Sequence, residues 1–174
     1  MQKGVVRKRR TPPLSEYGRQ LKEKQELKGQ YNLRERQFKQ YVVQTLGKGA
    51  GLNAAELLMQ QLEKRLDSAV YRMGVAATRK QAKQMVSHGH FLVNGRSVNI
   101  PSYMVQRDDV ISLKPQHAQK TIFQNAKLAL KKYTAPTWLQ LDKEKIEAKV
   151  LGVPSFDEVA PTVEIPLIFE FYSR

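Results

Sequence analysis

The sequence contains no cysteine and only three histidines among its 174 residues. The lack of cysteine excludes disulfides, thiolate metal sites and cysteine nucleophiles, and it is compatible with a reducing compartment. Long apolar runs are also missing, and none approaches the roughly 20 residues of a membrane span. The N-terminal stretch MQKGVVRKRRTPP is basic but lacks the apolar core of a signal peptide. We therefore expect no membrane partner.

Acidic residues are scarce as well: 16 stand against 30 lysines and arginines, which gives a net charge of +14. A charge of that size indicates a polyanionic partner and says nothing about the fold. It is unevenly placed, because residues 1–39 hold 12 basic and 4 acidic residues and residues 64–114 hold 9 and 3. Residues 115–174 are nearly balanced in charge, with 8 basic and 7 acidic residues. The anion-binding surface is therefore predicted in the first two regions, with scaffold or protein contact in the third.

The first 13 residues are predicted to form a basic, extended arm. Its four consecutive cations are Arg7, Lys8, Arg9 and Arg10. The Pro12-Pro13 pair that follows prevents a helix from crossing this point. A solvated tail is the alternative interpretation, but four adjacent cations before an ordered segment favour contact with nucleic acid.

Apolar residues at helical spacing predict three helices in residues 14–63. These cover about residues 15–28, 33–46 and 53–64. Ser15 is predicted to cap the first helix and Gly29 to end it. The glycine-rich stretch GKGAG (47–51) follows a predicted helix, whereas a phosphate-binding loop follows a strand and has the spacing G-x-x-x-x-G-K-[ST]. We interpret this stretch as a flexible connector.

Residues 64–114 predict a pair of short helices packed on a small antiparallel sheet. Asp67 is the expected N-cap of the first helix, and Thr78 begins the capping-box pattern T-x-x-Q of the second. Asn94-Gly95 between two apolar runs is the strongest short-range signal for a type I′ hairpin, and the later stretch VISL supplies a third strand. The predicted fold class is α+β, with an N-terminal helical domain followed by this module.

Two histidines, His88 and His90, lie where the second helix of the module gives way to a strand. A metal site there would need further ligands, but the sequence has no cysteine and the remaining histidine, His117, lies well down the chain. We therefore expect no metal, no cofactor and no catalytic role. Hydrogen bonds from the imidazoles to phosphate or 2′-hydroxyl groups are the preferred interpretation.

The stretch RLDSAVYRMGVAATRKQAKQMVSHGHFLVNGRSVNIPSYMV resembles the signature RNA-binding module of the S4 family of small-subunit ribosomal proteins. Three further stretches, LSEYGRQLKEKQELKGQYNLRERQFKQYV, PTWLQLD and LIFEFYSR, resemble the ribosomal protein itself. The resemblance covers nearly all of residues 14–174 in order. The usual bacterial member carries a longer segment before LSEYG, in some cases with a cysteine-bearing zinc knuckle. Here only 13 residues precede Leu14 and no cysteine is present, which excludes such a knuckle.

The resemblance implies a structural constituent of the small ribosomal subunit that binds the 5′ domain of its ribosomal RNA and nucleates assembly of the subunit body. It also implies contact with a neighbouring small-subunit protein (the fifth), an influence on decoding accuracy, and a position near the path by which mRNA enters. The residues expected to bind ribosomal RNA are Arg7, Lys8, Arg9, Arg10, Arg19, Lys22, Lys24, Arg34, Arg36, Lys39, Arg65, Arg72, Arg79, Lys80, Lys83, His88, His90 and Arg96.

The expected organisation has three parts. Residues 1–13 form the arm, residues 14–63 together with about 134–174 form a helical rRNA-binding domain, and residues 64–133 form the module with a trailing helix. The alternatives are a ribosome-associated stress or quality-control factor and an RNA-modifying enzyme, for which the C-terminal third is too short. We expect a ribosome-bound protein of a bacterial cytoplasm, with an organellar ribosome as the other possibility.

Overall fold

The computed structural model describes residues 13–47, 53–159 and 161–173, which form eight α-helices and one five-stranded sheet. The helices are α1 (Glu16–Gln30), α2 (Glu35–Gly47), α3 (Ala54–Glu63), α4 (Leu66–Arg72), α5 (Arg79–Ser87), α6 (Thr121–Leu130), α7 (Phe156–Val159) and α8 (Ile165–Ser173). The strands are β1 (Phe91–Val93), β2 (Arg96–Ser97), β3 (Val110–Leu113), β4 (Leu139–Asp142) and β5 (Glu147–Val150). The predicted arm cations Arg7–Arg10 and residues 48–51 of the predicted connector lie outside the described residues.

Side-chain caps fix two of the predicted helix starts. The Ser15 hydroxyl accepts a hydrogen bond from the Gly18 amide at 3.2 Å, and the Thr78 hydroxyl accepts one from the Gln81 amide at 3.1 Å. Both caps are confirmed, since each satisfies an amide that has no partner within its helix. The predicted end of α1, at about residue 28, was two residues early, because Gly29 and Gln30 are helical and the turn follows at Tyr31 and Asn32, where Asn32 has a φ of 49°.

The predicted cap of α4 was wrong. The helix begins at Leu66, and Asp67 lies inside its first turn. The reason is that the Leu66 and Asp67 amides donate to backbone carbonyls of the 101–103 loop, at 2.8 and 3.2 Å, so no side chain is needed to cap them. The Asp67 carboxylate is left to bind Arg65 instead.

The sheet is antiparallel throughout, in the order β2-β1-β3-β5-β4. Asn94 and Gly95 have φ of 50° and 77°, as a type I′ turn requires, so the predicted hairpin is confirmed. β4 and β5 were not predicted. They extend the sheet through the pairing of Val110 with Lys149. The fold is α+β, as expected from the sequence.

Two hydrophobic cores hold the described chain together. We call the first the helical core, which includes Leu27, Phe38 and Ile168, and the second the module core, which includes Val86 and Ile111. The C-terminal third contributes to both: α8 packs in the helical core, whereas β4 and β5 pack in the module core. The division of the chain into the domains expected above stays a prediction.

Gly74 tests the packing between α4 and the segment after α6. Its φ is +77°, and a Cβ at this position would lie 2.7 Å from the ring of Tyr133, whose hydroxyl donates to the Arg72 carbonyl. We predict that Gly74→Ala lowers the free energy of unfolding by more than about 2 kcal/mol, since strained backbone and a steric clash add. Chemical denaturation measures the loss. Gly29→Ala is the matched control, because a Cβ added there would meet nothing within 4 Å beyond its chain neighbours and its own helix backbone, and the change should be neutral or stabilising. If Gly74→Ala and Gly29→Ala change the free energy of unfolding equally, Tyr133 does not pack against Gly74 as described.

Candidate nucleic-acid interface

The carboxylate of Glu63, the last residue of α3, is fully buried where four helices meet. Its Oε1 accepts hydrogen bonds from the Tyr31 hydroxyl at 2.6 Å and from Arg79 Nη2 at 2.7 Å. Arg72 donates to both carboxylate oxygens, at 2.9 and 3.0 Å. These three donors come from α4, α5 and the residue after α1, so one carboxylate joins elements of both cores.

Charge in this cluster favours the ionised carboxylate. Burial by itself raises the pKa of Glu63, but the hydrogen bond from Arg72 and the charges of Arg79 and Arg72 outweigh it and hold the pKa below its usual value. Burial and the neighbouring carboxylate raise the pKa of Tyr31, which therefore stays neutral. Two guanidinium groups thus share one carboxylate, and the cluster keeps one positive charge in surplus.

The surplus charge lies beside an open cleft of about 410 Å³, whose lining includes Arg72, Arg79 and Tyr71. Arg79 Nη1 is buried and has no hydrogen-bond partner among the described residues. The guanidinium lies over two rings, with its Cζ 4.1 Å from the centroid of Tyr31 and 4.6 Å from that of Tyr71. Cation–π contacts of this kind hold the side chain in place without neutralising it. The cleft therefore presents a fixed positive charge.

Two cations that the sequence assigned to RNA binding are buried instead. The Arg65 side chain is 1% exposed and donates to Asp67 through Nε and Nη2 and to the Tyr41 hydroxyl through Nη1, at 2.7–3.0 Å. Lys24 is 6% exposed and donates to Glu35 at 2.9 Å. A charge removed from water needs a partner of this sort. Both side chains hold helices together and present almost no surface to a ligand.

The other assigned cations of the described chain keep some access to solvent. Those that are exposed are Arg19, Lys22, Arg34, Arg36, Lys39, Lys80, His88 and Arg96. Lys83 is partly buried, and its ammonium donates to the Asn32 carbonyl at 2.9 Å. Burial lowers the pKa of Lys83, and the positive charges of Arg65 and Arg34 lower it further, against the opposing effect of Asp67. Cations of α5 and of the turn before α2 therefore share one surface.

We call Arg34, Lys80 and Lys83 the junction surface, because they lie where the helical core meets the module. Lys80 and Lys83 are one helical turn apart on α5 and therefore lie on neighbouring positions of that helix. Arg34 precedes α2 and is close enough to Lys83 to affect its pKa. None of the three has an acidic partner among the salt bridges of the described chain. The junction surface therefore carries its positive charge outward.

The histidines are arranged differently from the expectation. His117 lies well down the sequence, but a short 3₁₀ helix (Pro115–His117) brings its Nδ1 to 2.8 Å from the Nδ1 of His90. Burial and the charge of Lys120 lower the pKa of both side chains, which favours a neutral pair in which one ring donates to the other. The Nδ1 of His90 is therefore engaged by His117, and its Nε2 is the ring nitrogen outside this hydrogen bond. Within the described residues, no three histidine or acidic side chains are grouped as metal ligands.

Glu63 was not predicted from the sequence, although the sequence carries a signal for it. Leu58, Met59 and Leu62 give α3 a buried stripe, and Glu63 continues that stripe at position i+4 from Met59. An acid on an apolar face must be paired when it is buried. Two arginines near it in the sequence, Arg72 and Arg79, were available as partners.

A helix pair rich in cations, packed on a small antiparallel sheet with a fixed positive cleft beside it, defines an RNA-binding module. The chain belongs to the S4 family of small-subunit ribosomal proteins. Residues 64–111 match the S4 domain, and residues 1–63 match the family described as ribosomal protein S4/S9 N-terminal domain. The resemblance seen in the sequence is thereby confirmed.

Relatives cover most of the chain. The small ribosomal subunit protein uS4 of Persephonella marina is 46% identical over 161 residues, which are 92% of this chain and 78% of the relative. The protein of that name from Halothermothrix orenii is 45% identical over 167 residues, 96% of this chain and 79% of the relative. The uS4 protein of Aquifex aeolicus is 44% identical, over 95% of this chain and 79% of its own length. These relatives are structural proteins of the ribosome, and membership of their family confirms that the chain is not an enzyme. No helix in the described part of the chain is long and apolar enough to span a membrane.

The Glu63 cluster makes a direct prediction for stability. Glu63→Gln removes the negative charge of the cluster and leaves two partly buried guanidiniums unpaired, so we expect a loss of about 3–5 kcal/mol in the free energy of unfolding. Asp108→Asn is the control, because Asp108 pairs with Lys149 at the surface and should contribute less than about 1 kcal/mol. Urea titrations of both variants provide the comparison. A Glu63→Gln variant as stable as the control would show that the cluster does not hold the helices together.

Proposed function

We propose that the protein is a structural constituent of the small ribosomal subunit and binds ribosomal RNA through the junction surface and the cleft beside it. The observation that carries the proposal is the surplus positive charge of the Glu63 cluster, whose Arg72 and Arg79 line the open cleft. A phosphate in the cleft supplies both hydrogen-bond acceptors and the negative charge that offsets this surplus. Membership of the S4 family supports the same function.

The binding mechanism is physical rather than chemical. Folded RNA presents phosphates and 2′-hydroxyl groups in a fixed arrangement, which proteins recognise by shape and charge. The junction surface matches such a target because Lys80 and Lys83 lie on α5, which Thr78 caps and Arg79 joins to the Glu63 cluster, and because Lys83 donates to the Asn32 carbonyl near Arg34. Binding to ordered cations loses little conformational entropy at the interface. Phosphate neutralisation releases counterions, so affinity falls steeply with salt.

The residues proposed to contact RNA are the accessible cations of the described chain. They are Arg19, Lys22, Arg34, Arg36, Lys39, Arg72, Arg79, Lys80, Lys83, His88 and Arg96. Lys24 and Arg65 are proposed to position helices instead, because their side chains are buried and paired. His90 is proposed to contact RNA only through its Nε2, since its Nδ1 is within hydrogen-bond distance of His117. Arg7, Lys8, Arg9 and Arg10 lie outside the described residues, and their contact with RNA or mRNA is proposed from the sequence alone.

Finer aspects of the function are proposed from the family resemblance. The RNA target is the 5′ domain of small-subunit ribosomal RNA, and binding there nucleates assembly of the subunit body. The near-neutral C-terminal third is proposed to contact the fifth small-subunit protein and so to influence decoding accuracy. It carries exposed apolar side chains at Leu151, Val153 and Phe156, which supports a protein contact. The proposed compartment is a bacterial cytoplasm, with the protein on ribosomes.

Placement of charge should matter more than its amount. We predict that replacing Arg34, Lys80 and Lys83 together by glutamine weakens binding to the 5′-domain RNA at least roughly tenfold and lowers the salt slope by about one unit for each phosphate that is no longer neutralised. The control replaces Lys143, Lys145 and Lys149, which are exposed on β5 and on the turn that precedes it, and it deletes the same charge. Filter binding across a salt series measures both variants, with thermal unfolding to verify their folds. Equal losses of affinity would mean that the RNA responds only to net charge and that the junction surface is not the interface.

A further inference from the structure

A second group of basic side chains lies beyond the C-terminal end of α5. Lys114, His117 and Lys120 recur every three residues along a 3₁₀ turn, in which the His117 amide donates to the Lys114 carbonyl at 2.9 Å and the Lys120 amide donates to the His117 carbonyl at 3.0 Å. Side chains three residues apart eclipse one another in such a turn, so these three share one face. The His90 ring packs edge-on against both the His117 ring and the Phe123 ring. We call Lys114, Lys120 and the histidine pair, His90 and His117, the histidine cluster.

The surroundings of the histidine pair are basic. A Cβ at Gly89 would lie 3.6 Å from Lys114 Nζ, which places this ammonium group beside the turn between α5 and β1. Lys120 is exposed, and neither lysine belongs to a salt bridge of the described chain. The other titratable group that faces the pair is His88, whose ring centroid lies 6.0 Å from that of His90. A group of bases arranged in this way favours an anionic ligand and opposes a divalent metal ion.

The hydrogen bond between the two rings determines the state of their outer nitrogens. In the neutral pair, the ring that donates from Nδ1 has no proton on its Nε2, whereas the ring that accepts at Nδ1 carries a proton there. No described residue forms a hydrogen bond with either Nε2, and neither atom is among the buried unpartnered atoms of the described chain, so both are open to solvent. One added proton converts the bare Nε2 into a donor and gives the pair a positive charge.

We propose that the histidine cluster binds a backbone phosphate of the RNA and takes up one proton from solvent as it does so. A phosphate oxygen accepts a hydrogen bond from the Nε2 that gains the proton, and Lys114 and Lys120 supply further positive charge. The proposal rests on the proposed function, because the phosphate belongs to the RNA that the junction surface binds. It adds a second point of contact on the module and makes the affinity for RNA depend on pH.

The sign of this pH dependence follows from the pKa of the pair with and without phosphate. Burial and the charge of Lys120 hold the pKa of His90 and of His117 below its usual value in the unbound protein. A bound phosphate raises the pKa, because its negative charge favours the imidazolium form. Affinity is therefore greatest below the pKa of the unbound protein and falls as the pH rises to the pKa of the complex. Above that pKa it is constant.

The first test compares the wild-type chain with a variant that carries both His90→Gln and His117→Gln, and uses the 5′-domain RNA transcript as the ligand. Wild-type protein should bind at least roughly threefold more tightly at about pH 6 than at about pH 8. Calorimetry in buffers of different ionisation enthalpy should detect the proton that is taken up on binding. The double variant should lose most of the pH dependence and most of the proton uptake, because both titrating rings are gone.

The second test uses Lys120→Gln, which changes an exposed side chain and should leave the fold intact. Binding should weaken, and the salt slope should fall by about one unit, since a phosphate contact is lost. Lys132→Gln is the matched control, because Lys132 is exposed beyond the opposite end of α6 and its replacement removes the same charge. The control should keep the affinity and the salt slope of the wild-type chain.

The other outcomes each overturn a definite proposal. Equal pH dependence in the wild-type chain and the double histidine variant refutes the site, as does an unchanged salt slope in Lys120→Gln, which decides the question if the histidine variant does not fold. Equal proton uptake with sulfate alone, at the molar concentration of the RNA, would assign the site to a free anion instead of RNA. Wild-type protein that prefers the 5′-domain RNA without any pH dependence overturns the site alone. No preference over an unrelated structured RNA at either pH overturns the proposed function and the site with it.

Discussion

The ionised carboxylate of Glu63 is the constraint on which the arrangement of the junction depends. It is fully buried, and every group that satisfies it comes from a different element: Tyr31 after α1, Arg72 on α4 and Arg79 on α5. Hydrophobic packing is non-directional and would allow the two cores to shift against one another. Hydrogen bonds of 2.6–3.0 Å to one carboxylate allow much less freedom. The cluster therefore sets the relative position of the helical core and the module.

The same cluster contributes both to the stability of the junction and to the charge of the proposed RNA-binding surface. Because two arginines share one carboxylate, the requirement that a buried acid be paired also leaves a positive charge fixed beside the cleft. Lys83 adds a second link across the junction through the Asn32 carbonyl. Cations held in this way keep their positions before any RNA is present. An RNA-binding protein without a catalytic site depends on such placement, since shape and charge are what folded RNA offers for recognition.

Many elements of the fold were predictable from local sequence. The remaining elements and the buried cations depend on contacts between residues that are distant in the chain. The caps at Ser15 and Thr78 and the Asn94-Gly95 hairpin follow from short-range chemistry, and the family motifs identified the module. The start of α4 was mispredicted because loop carbonyls replaced the expected cap. β5 was missed because its pairing with β3 spans nearly 40 residues, and β4, which pairs with β5, was missed with it. The buried roles of Lys24 and Arg65 could not be recognised from charge counts, which treat every cation as exposed.

Native-state hydrogen exchange tests most directly whether the Glu63 cluster joins the two cores into one cooperative unit. The amide of Val42 reports on the helical core, and that of Ile111 reports on the module core. We predict that both amides exchange through the same opening, with equal free energies and equal dependence on denaturant. If Val42 exchanges through an opening of lower free energy that leaves Ile111 protected, the two cores unfold independently. The buried carboxylate would then not be the link between them.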